Sequence, residues 1–195
     1  MNDFSHILAG IRSGFLHRKA LARLMRETPA DCAILSLTPE SLKASGVSAL
    51  ALDFDGVLAG HGAPAPLPEA IEWLERCVPV FGGEMIFILS NKPTRERSQW
   101  FAANFPGLRF IAGVRKKPYP DGLIKTGELS GVPLSSVLMV DDRLLTGCLA
   151  ALNAGARACY IRRPYVSFRN NTTAELFFML LRRAERCFVR AAGML

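Results

Sequence analysis

The chain lacks most of the features that mark specialised classes of protein. Its five cysteines, Cys32, Cys77, Cys148, Cys159 and Cys187, are odd in number and scattered, with no CxxC pair and no zinc-like Cys/His spacing. That argues against a disulfide scaffold or zinc module and predicts free thiols in a reducing cytoplasm. No apolar run approaches the ~18 residues of a membrane span. The first stretch, MNDFSHILAGIRSGFLHRK, lacks the uninterrupted apolar core and cleavage site expected of a secretory signal. Internal repeats and low-complexity segments are missing, as are the recognition-helix, RNP and zinc-finger patterns that accompany nucleic-acid binding. The expectation is a cytoplasmic protein without a nucleic-acid partner, peripheral on the inner face of a membrane if it meets one.

What is present is an ordinary globular composition with a basic excess. Hydrophobic residues make up 50% and charged residues 21% of 195 residues, enough for one sizeable core and too apolar for a disordered chain. Lys+Arg of 24 against Asp+Glu of 17 gives a net charge of +7, which favours anionic partners such as phosphates or lipid headgroups. The excess collects at the ends, in Arg12, Arg18, Lys19, Arg23 and Arg26 and again in Arg182, Arg183, Arg186 and Arg190. These features divide the chain into a basic amphipathic helix and linker over 1–37, a core over 38–165 and a C-terminal helical segment over 166–195.

Within the core, strand-length apolar runs alternate with helical stretches. Strands are predicted at Ser48–Leu52, Met85–Leu89, Arg109–Ile111, Val137–Val140 and Arg157–Ile161, and helices at 68–79, 94–104, 121–130 and 144–154. Strands apolar on both faces, separated by helices, specify a doubly wound α/β domain with a parallel sheet between helices. Further helices are expected at 3–26 and, after the turn-rich Arg162–Asn171, at 173–190.

Ligands of such sheets bind beyond the carboxyl ends of the strands, and those ends carry the chemistry here. The first strand runs into Asp53-Phe54-Asp55-Gly56, the second into Ser90-Asn91, the third into Gly113 and then Lys116-Lys117-Pro118, the fourth into Asp141-Asp142. Carboxylates from two strand ends suit a hard cation such as Mg²⁺. A hydroxyl, loop amides and a lysine suit phosphate oxygens. Together they fit phosphoryl transfer, with one of Asp53 and Asp55 as nucleophile and the other as proton donor and base.

The order DFDG, strand-Ser-Asn, Lys-Pro and VDD resembles the haloacid dehalogenase superfamily of aspartate-nucleophile phosphatases. The resemblance implies that Asp53 is the nucleophile, Asp55 the general acid/base and Ser90 the phosphate-binding hydroxyl, with Asn91 beside it. It further implies that Lys117, which directly precedes Pro118, bridges nucleophile and phosphate. Mg²⁺ would be held by Asp53, the backbone carbonyl of Asp55, and Asp142, with Asp141 a candidate second ligand. Residues 38–165 look most like the capless YqeG-type branch, related to mitochondrial phosphatidylglycerophosphate phosphatases, and Asn153 and Gly155 match that branch's Asn and Gly. The implied substrate is phosphatidylglycerophosphate or another phosphomonoester. A soluble phosphomonoester, a phosphoprotein substrate, and a non-catalytic binding protein are the alternatives.

The chain departs from that branch in named places. Gly56-Val57 stands where the branch has Asn-Thr, Lys92 where it has a second Asn, and Asp141 and Arg143 where Gly and Gln flank the metal aspartate. Gly147 stands where the branch carries a further acid, a role open to Asp141. With only Val57–Pro68 after the first motif and one helix and short strand over 92–115, no inserted cap domain is expected. An uncovered site would take a substrate that brings its own cover. The terminal helices, with Leu176, Phe177, Leu180, Leu181, Cys187 and Phe188 in the second, either lie on an anionic membrane or pack on the sheet. His61, in the loop after the first motif, reads as a solvated residue or a substrate contact.

Overall fold

The computed structural model describes residues 5–194. It is an α/β protein whose five parallel strands, β1 (Ala49–Leu52), β2 (Ile86–Ile88), β3 (Arg109–Phe110), β4 (Val137–Asp141) and β5 (Arg157–Tyr160), pair in the order β3-β2-β1-β4-β5. The chain builds outward from β1 through β2 to β3, returns to lay β4 on the other side of β1, and finishes with β5. That order makes β1 and β4 the neighbours between which the winding reverses.

Alternation along each strand explains why both faces are covered. Leu50 and Leu52 point into a core shared with Trp73, Leu74 and Cys77 of α4 (Pro68–Phe81) and Phe101 of α5 (Arg95–Asn104). Ala49 and Ala51 point the other way, towards Leu123 of α6 (Asp121–Ser130) and Ala150 and Ala151 of α7 (Leu149–Ala154). Small alanines on one side and leucines on the other set how closely each helix layer approaches. A short helix, α3 (Pro39–Ala44), precedes β1, and the Trp73 Nε1–H of α4 donates to the Leu37 carbonyl at 2.6 Å, tying that linker to the core.

The predicted strands and central helices stand where the periodicity puts them, with two changes. The stretch 144–154 is not one regular helix: Leu144–Cys148 forms a π-helical turn, marked by the Cys148 N–H donating to the Arg143 carbonyl at 3.3 Å, before α7 begins. The expected 3–26 helix is two, α1 (Ser5–Leu16) and α2 (Arg18–Glu27), because His17 leaves helical geometry with φ −94° and ψ 13°. Positions 3 and 4 of that span lie outside the described residues.

The last helix, α8 (Phe168–Gly193), breaks at Asn171. The Asn171 Oδ1 accepts from the Ala174 N–H at 3.0 Å, so the regular helix starts at an asparagine cap close to the predicted position. Both termini pack on the core: Leu21, Ala22 and Met25 of α2 join Leu149 of α7, Tyr160 of β5 and Val189 of α8 in one buried cluster. No helix among the described residues is long and apolar enough to cross a membrane.

Leu50 is fully buried between β1 and its helix layer. Leu50→Ala is expected to cost about 2–5 kcal/mol, read as a lower urea midpoint at unchanged slope; a cost below 1 kcal/mol would contradict the packing described.

Candidate active site at the switch point

Asp53 follows β1 directly, its N–H still donating to the Val140 carbonyl of β4 at 3.0 Å, so the sheet itself fixes its place. The chain then folds into a tight flap in which the Gly56 N–H donates to the Ala59 carbonyl at 2.7 Å. Gly56 is required twice over: its φ is +85°, and a Cβ there would stand 2.4 Å from Oδ2 of Asp142. The glycine at 56 thus follows from how closely the flap approaches Asp142 at the end of β4.

Lys117 is the pivot of the site. Only 3% exposed, its Nζ stands 3.0 Å from Asp53 Oδ1 and 2.6 Å from Asp141 Oδ2, bridging the ends of β1 and β4. Lys116, by contrast, is exposed. Asn91 positions this lysine: its Oδ1 accepts from the Lys117 N–H at 2.7 Å and its Nδ2 donates to the Lys117 carbonyl at 3.2 Å. Asn153 of α7 steadies the same loop by donating to the Pro118 carbonyl at 2.9 Å. Asn91 therefore lines the pocket while its amide is spent on the lysine loop, and Ser90, whose Oγ accepts from the Lys92 N–H at 3.1 Å, faces the same space.

Asp53, Asp141 and Asp142 are all buried and offer carboxylate oxygens within 4.8 Å of one another. Asp141 thus stands beside Asp53 and Asp142, two of the residues the resemblance assigned to a metal, as a further carboxylate that could hold an ion. Its position answers for Gly147: a Cβ on residue 147 would fall 1.9 Å from Asp141 Oδ2. The π turn carries Gly147 against the carboxylate, so no side chain at 147 fits beside Asp141. Hard oxygen donors of this kind fit a divalent cation. Two buried cations, Lys117 and Arg182, face these three carboxylates, so the cluster carries a net negative charge once all three are ionised. A phosphate dianion entering beside them needs further positive charge, which such an ion would supply.

Burial has the expected electrostatic effect. Desolvation, helped by Asp141, Asp142 and Asp55 and opposed by Lys117, pushes the Asp53 carboxyl up to about 8. Asp142 is pushed up to about 7 by burial against the pull of Arg182. Burial works against the charge of Lys117, but Asp141 and Asp53 more than offset it and raise its pKa.

Three charged partners come from positions that strand-end reasoning did not single out. Arg97 of α5, 3% exposed, forks onto Asp55 with Nη2–Oδ1 of 2.7 Å and Nη1–Oδ2 of 2.9 Å while stacking over Phe54, 3.9 Å from the ring centre. Arg182 of α8 donates through Nε to Asp142 Oδ2. Glu175 of α8, fully buried, accepts from the His61 N–H at 2.8 Å and pairs with His61 Nδ1 at 3.1 Å. His61 is not a solvated loop residue: its ring lies 4.0 Å above Phe178. Burial lowers its pKa although Asp55 and Glu175 pull the other way. A neutral ring whose Nδ1–H donates to the Glu175 carboxylate would leave Nε2 as an acceptor.

A cavity of about 150 Å³ is lined by Asp53, Asp55, Ser90, Lys117 and Asp142 from the strand ends together with His61, Asn171, Ala174 and Phe178. No inserted domain is present among the described residues. The site is nevertheless covered on one side, because α8 lies across it; the expectation of an uncovered site is corrected by a helix far from the motifs in sequence.

No family model matches the chain, and no curated protein matches it. A crystal structure of an uncharacterized protein from Corynebacterium glutamicum ATCC 13032 Kitasato aligns with a TM-score of 0.47 and 18% identity over 70% of this chain and 94% of that one.

The Gly147–Asp141 contact predicts a coupling. Gly147→Ala should destabilise by about 1–3 kcal/mol, and by clearly less in an Asp141→Ala background, where the colliding carboxylate is gone; equal costs in both backgrounds in urea titrations would refute it. The raised acids predict a pH dependence in metal-free protein. Unfolded carboxyls release their protons near pH 4, whereas Asp53 and Asp142 hold theirs to about 8 and about 7. Stability therefore falls as pH rises through that window, while Lys117, raised above its ordinary value, contributes constantly there. Asp53→Asn should melt higher than the natural protein at about pH 8, with the gap shrinking towards pH 5; a gap independent of pH would contradict this.

Proposed function

We propose that the protein is a phosphomonoester hydrolase of the haloacid dehalogenase kind, working with a divalent cation, Mg²⁺ by donor chemistry. The observation that carries this reading is the Asp53–Lys117–Asp141 bridge with Asp142 and Ser90 facing one pocket. An acid poised beside a buried lysine at a strand end is what an aspartyl nucleophile needs. Asp53 and Asp142, with Asp141 alongside, would hold the cation, and when bound it would neutralise charge on the transferring phosphoryl group.

In this scheme an Asp53 carboxylate oxygen attacks phosphorus, the bond from phosphorus to the substrate oxygen breaks, and Asp55 gives its proton to the departing oxygen. Lys117 draws in phosphoryl oxygens and keeps Asp53 aimed, and the Ser90 hydroxyl donates to the same group. Asp55 then takes a proton from water, whose oxygen attacks the phosphorus of the aspartyl phosphate, releasing inorganic phosphate and restoring Asp53. Arg97 governs Asp55: its fork holds both carboxylate oxygens and must open for Asp55 to hand a proton to the departing oxygen. His61 Nε2, an acceptor in the pocket wall, suits a substrate with a hydroxyl near its phosphate. Phosphatidylglycerophosphate, the substrate class the motif resemblance supplies, has such a hydroxyl.

Phosphate release is the test, with phosphatidylglycerophosphate in mixed micelles, soluble phosphomonoesters and a phosphopeptide as substrates. Mg²⁺-dependent turnover is expected, abolished by EDTA and lowered roughly 10³-fold or more by Asp53→Asn. Turnover by Asp53→Asn at the natural rate, or none from the folded natural protein on any substrate, would overturn the proposal.

A further inference from the structure

Helix α8 is built inside out. Its inward side carries charges, with Glu175 0%, Arg182 5% and Glu185 5% exposed, held by His61, Asp142 and Arg143 of the site region. Its outward side carries Leu176, Phe177 and Leu180, exposed at 50%, 58% and 69%. On a soluble surface helix the apolar stripe faces the core and the charges face water; here the site's need for buried counter-ions has reversed the arrangement. The reversal leaves an apolar ridge that nothing among the described residues covers.

The charge beside that ridge indicates what it meets. Arg183 and Arg190 are exposed on α8, and both acids of the helix, Glu175 and Glu185, are buried, so the outward side is cationic without a compensating acid. Helix α1, packed against α8 through Gly14 and Phe188, adds exposed Ile11, Phe15 and Leu16 with Arg12 and has no acid in its span. A second copy of the chain would bring arginines against arginines with no carboxylate to receive them. A protein partner would have to offer a groove for a convex ridge. A bilayer with anionic headgroups accepts both features at once, apolar side chains below the headgroups and arginines among them.

We propose that the outer side of α8, with α1 beside it, docks the protein on an anionic membrane surface. Ala174 and Phe178 of the same helix line the candidate active site, so docking sets the pocket one helix diameter, ~10 Å, from the membrane surface. The docking stands on its own observations, and only its catalytic use, on a phosphate carried by a lipid, rests on the function proposed above.

Flotation of the full chain with phosphatidylcholine vesicles, with and without phosphatidylglycerol, is the test. Binding is expected only with phosphatidylglycerol present, weakening as salt rises. Leu180→Asp should weaken it more than about tenfold, and Arg183→Ala and Arg190→Ala about fivefold each. Circular dichroism and the unfolding midpoint serve as folding controls, and Leu180→Asp should keep its turnover on a soluble phosphomonoester. Failure of the natural protein to float, equal binding to neutral vesicles, or binding indifferent to these substitutions would overturn the proposal. So would self-association in light scattering that Leu180→Asp abolishes, which would give the ridge to a second copy. Because flotation needs no turnover, an inactive but membrane-bound protein would overturn the catalytic reading alone.

Discussion

A buried lysine facing two buried aspartates organises this molecule. Lys117 stands within 3.0 Å of Asp53 and 2.6 Å of Asp141, at the ends of the two strands between which the sheet's winding reverses. Three carboxylates in one dry place repel each other strongly, and the rest of the site can be understood as the measures that keep them there. Asn91 and Asn153 hold the lysine loop, Gly147 withdraws to admit Asp141, Gly56 lets the flap close on Asp142, and Arg182 reaches in from the far end of the chain. A buried cluster that, once ionised, lacks one balancing charge is poor structural material and good material for holding a cation and a phosphoryl group.

That requirement also reshapes the periphery. Since α8 must supply Glu175, Arg182 and Glu185 to the interior, Leu176, Phe177 and Leu180 are left outside, while Val189 still packs on the core. One helix thus covers the pocket, balances its charge and presents the ridge assigned above to a membrane. Stability, site and surface are linked through the same few turns, and a substitution on the inner side of α8 should be felt in all three.

Much of the sheet was legible because parallel strands buried on both faces read as apolar runs of strand length, and because ligand-binding residues of such sheets follow the strands. Asp53, Asp55 and Ser90 follow strands in that way, the family resemblance singled out Lys117 beside Lys116 and Asp142 beside Asp141, and all five share one pocket. Arg97, Glu175 and Arg182 were not, for a physical reason. A charged residue on a helix has the same local signature whether it faces water or a buried carboxylate, and only the fold distinguishes them. In α8 the spacing of Glu175, Arg182 and Glu185 on one side and of Leu176, Phe177 and Leu180 on another announced two faces but not which one turns inward. His61 was likewise ambiguous, because its partner lies 114 residues away. That Gly147 follows the two acids at a strand end was visible, and the π turn that brings it against Asp141 was not.

The central claim is that Asp53 carries the phosphoryl group, and trapping it there is the most direct test. The protein would be quenched in acid during turnover with Mg²⁺, digested, and its peptides examined by mass spectrometry with and without hydroxylamine. The account predicts a hydroxylamine-labile phosphoryl group on the peptide containing Asp53, accumulating when Asp55→Asn blocks its hydrolysis. Phosphate release in steady turnover with no phosphoryl group on Asp53 in either protein would contradict it.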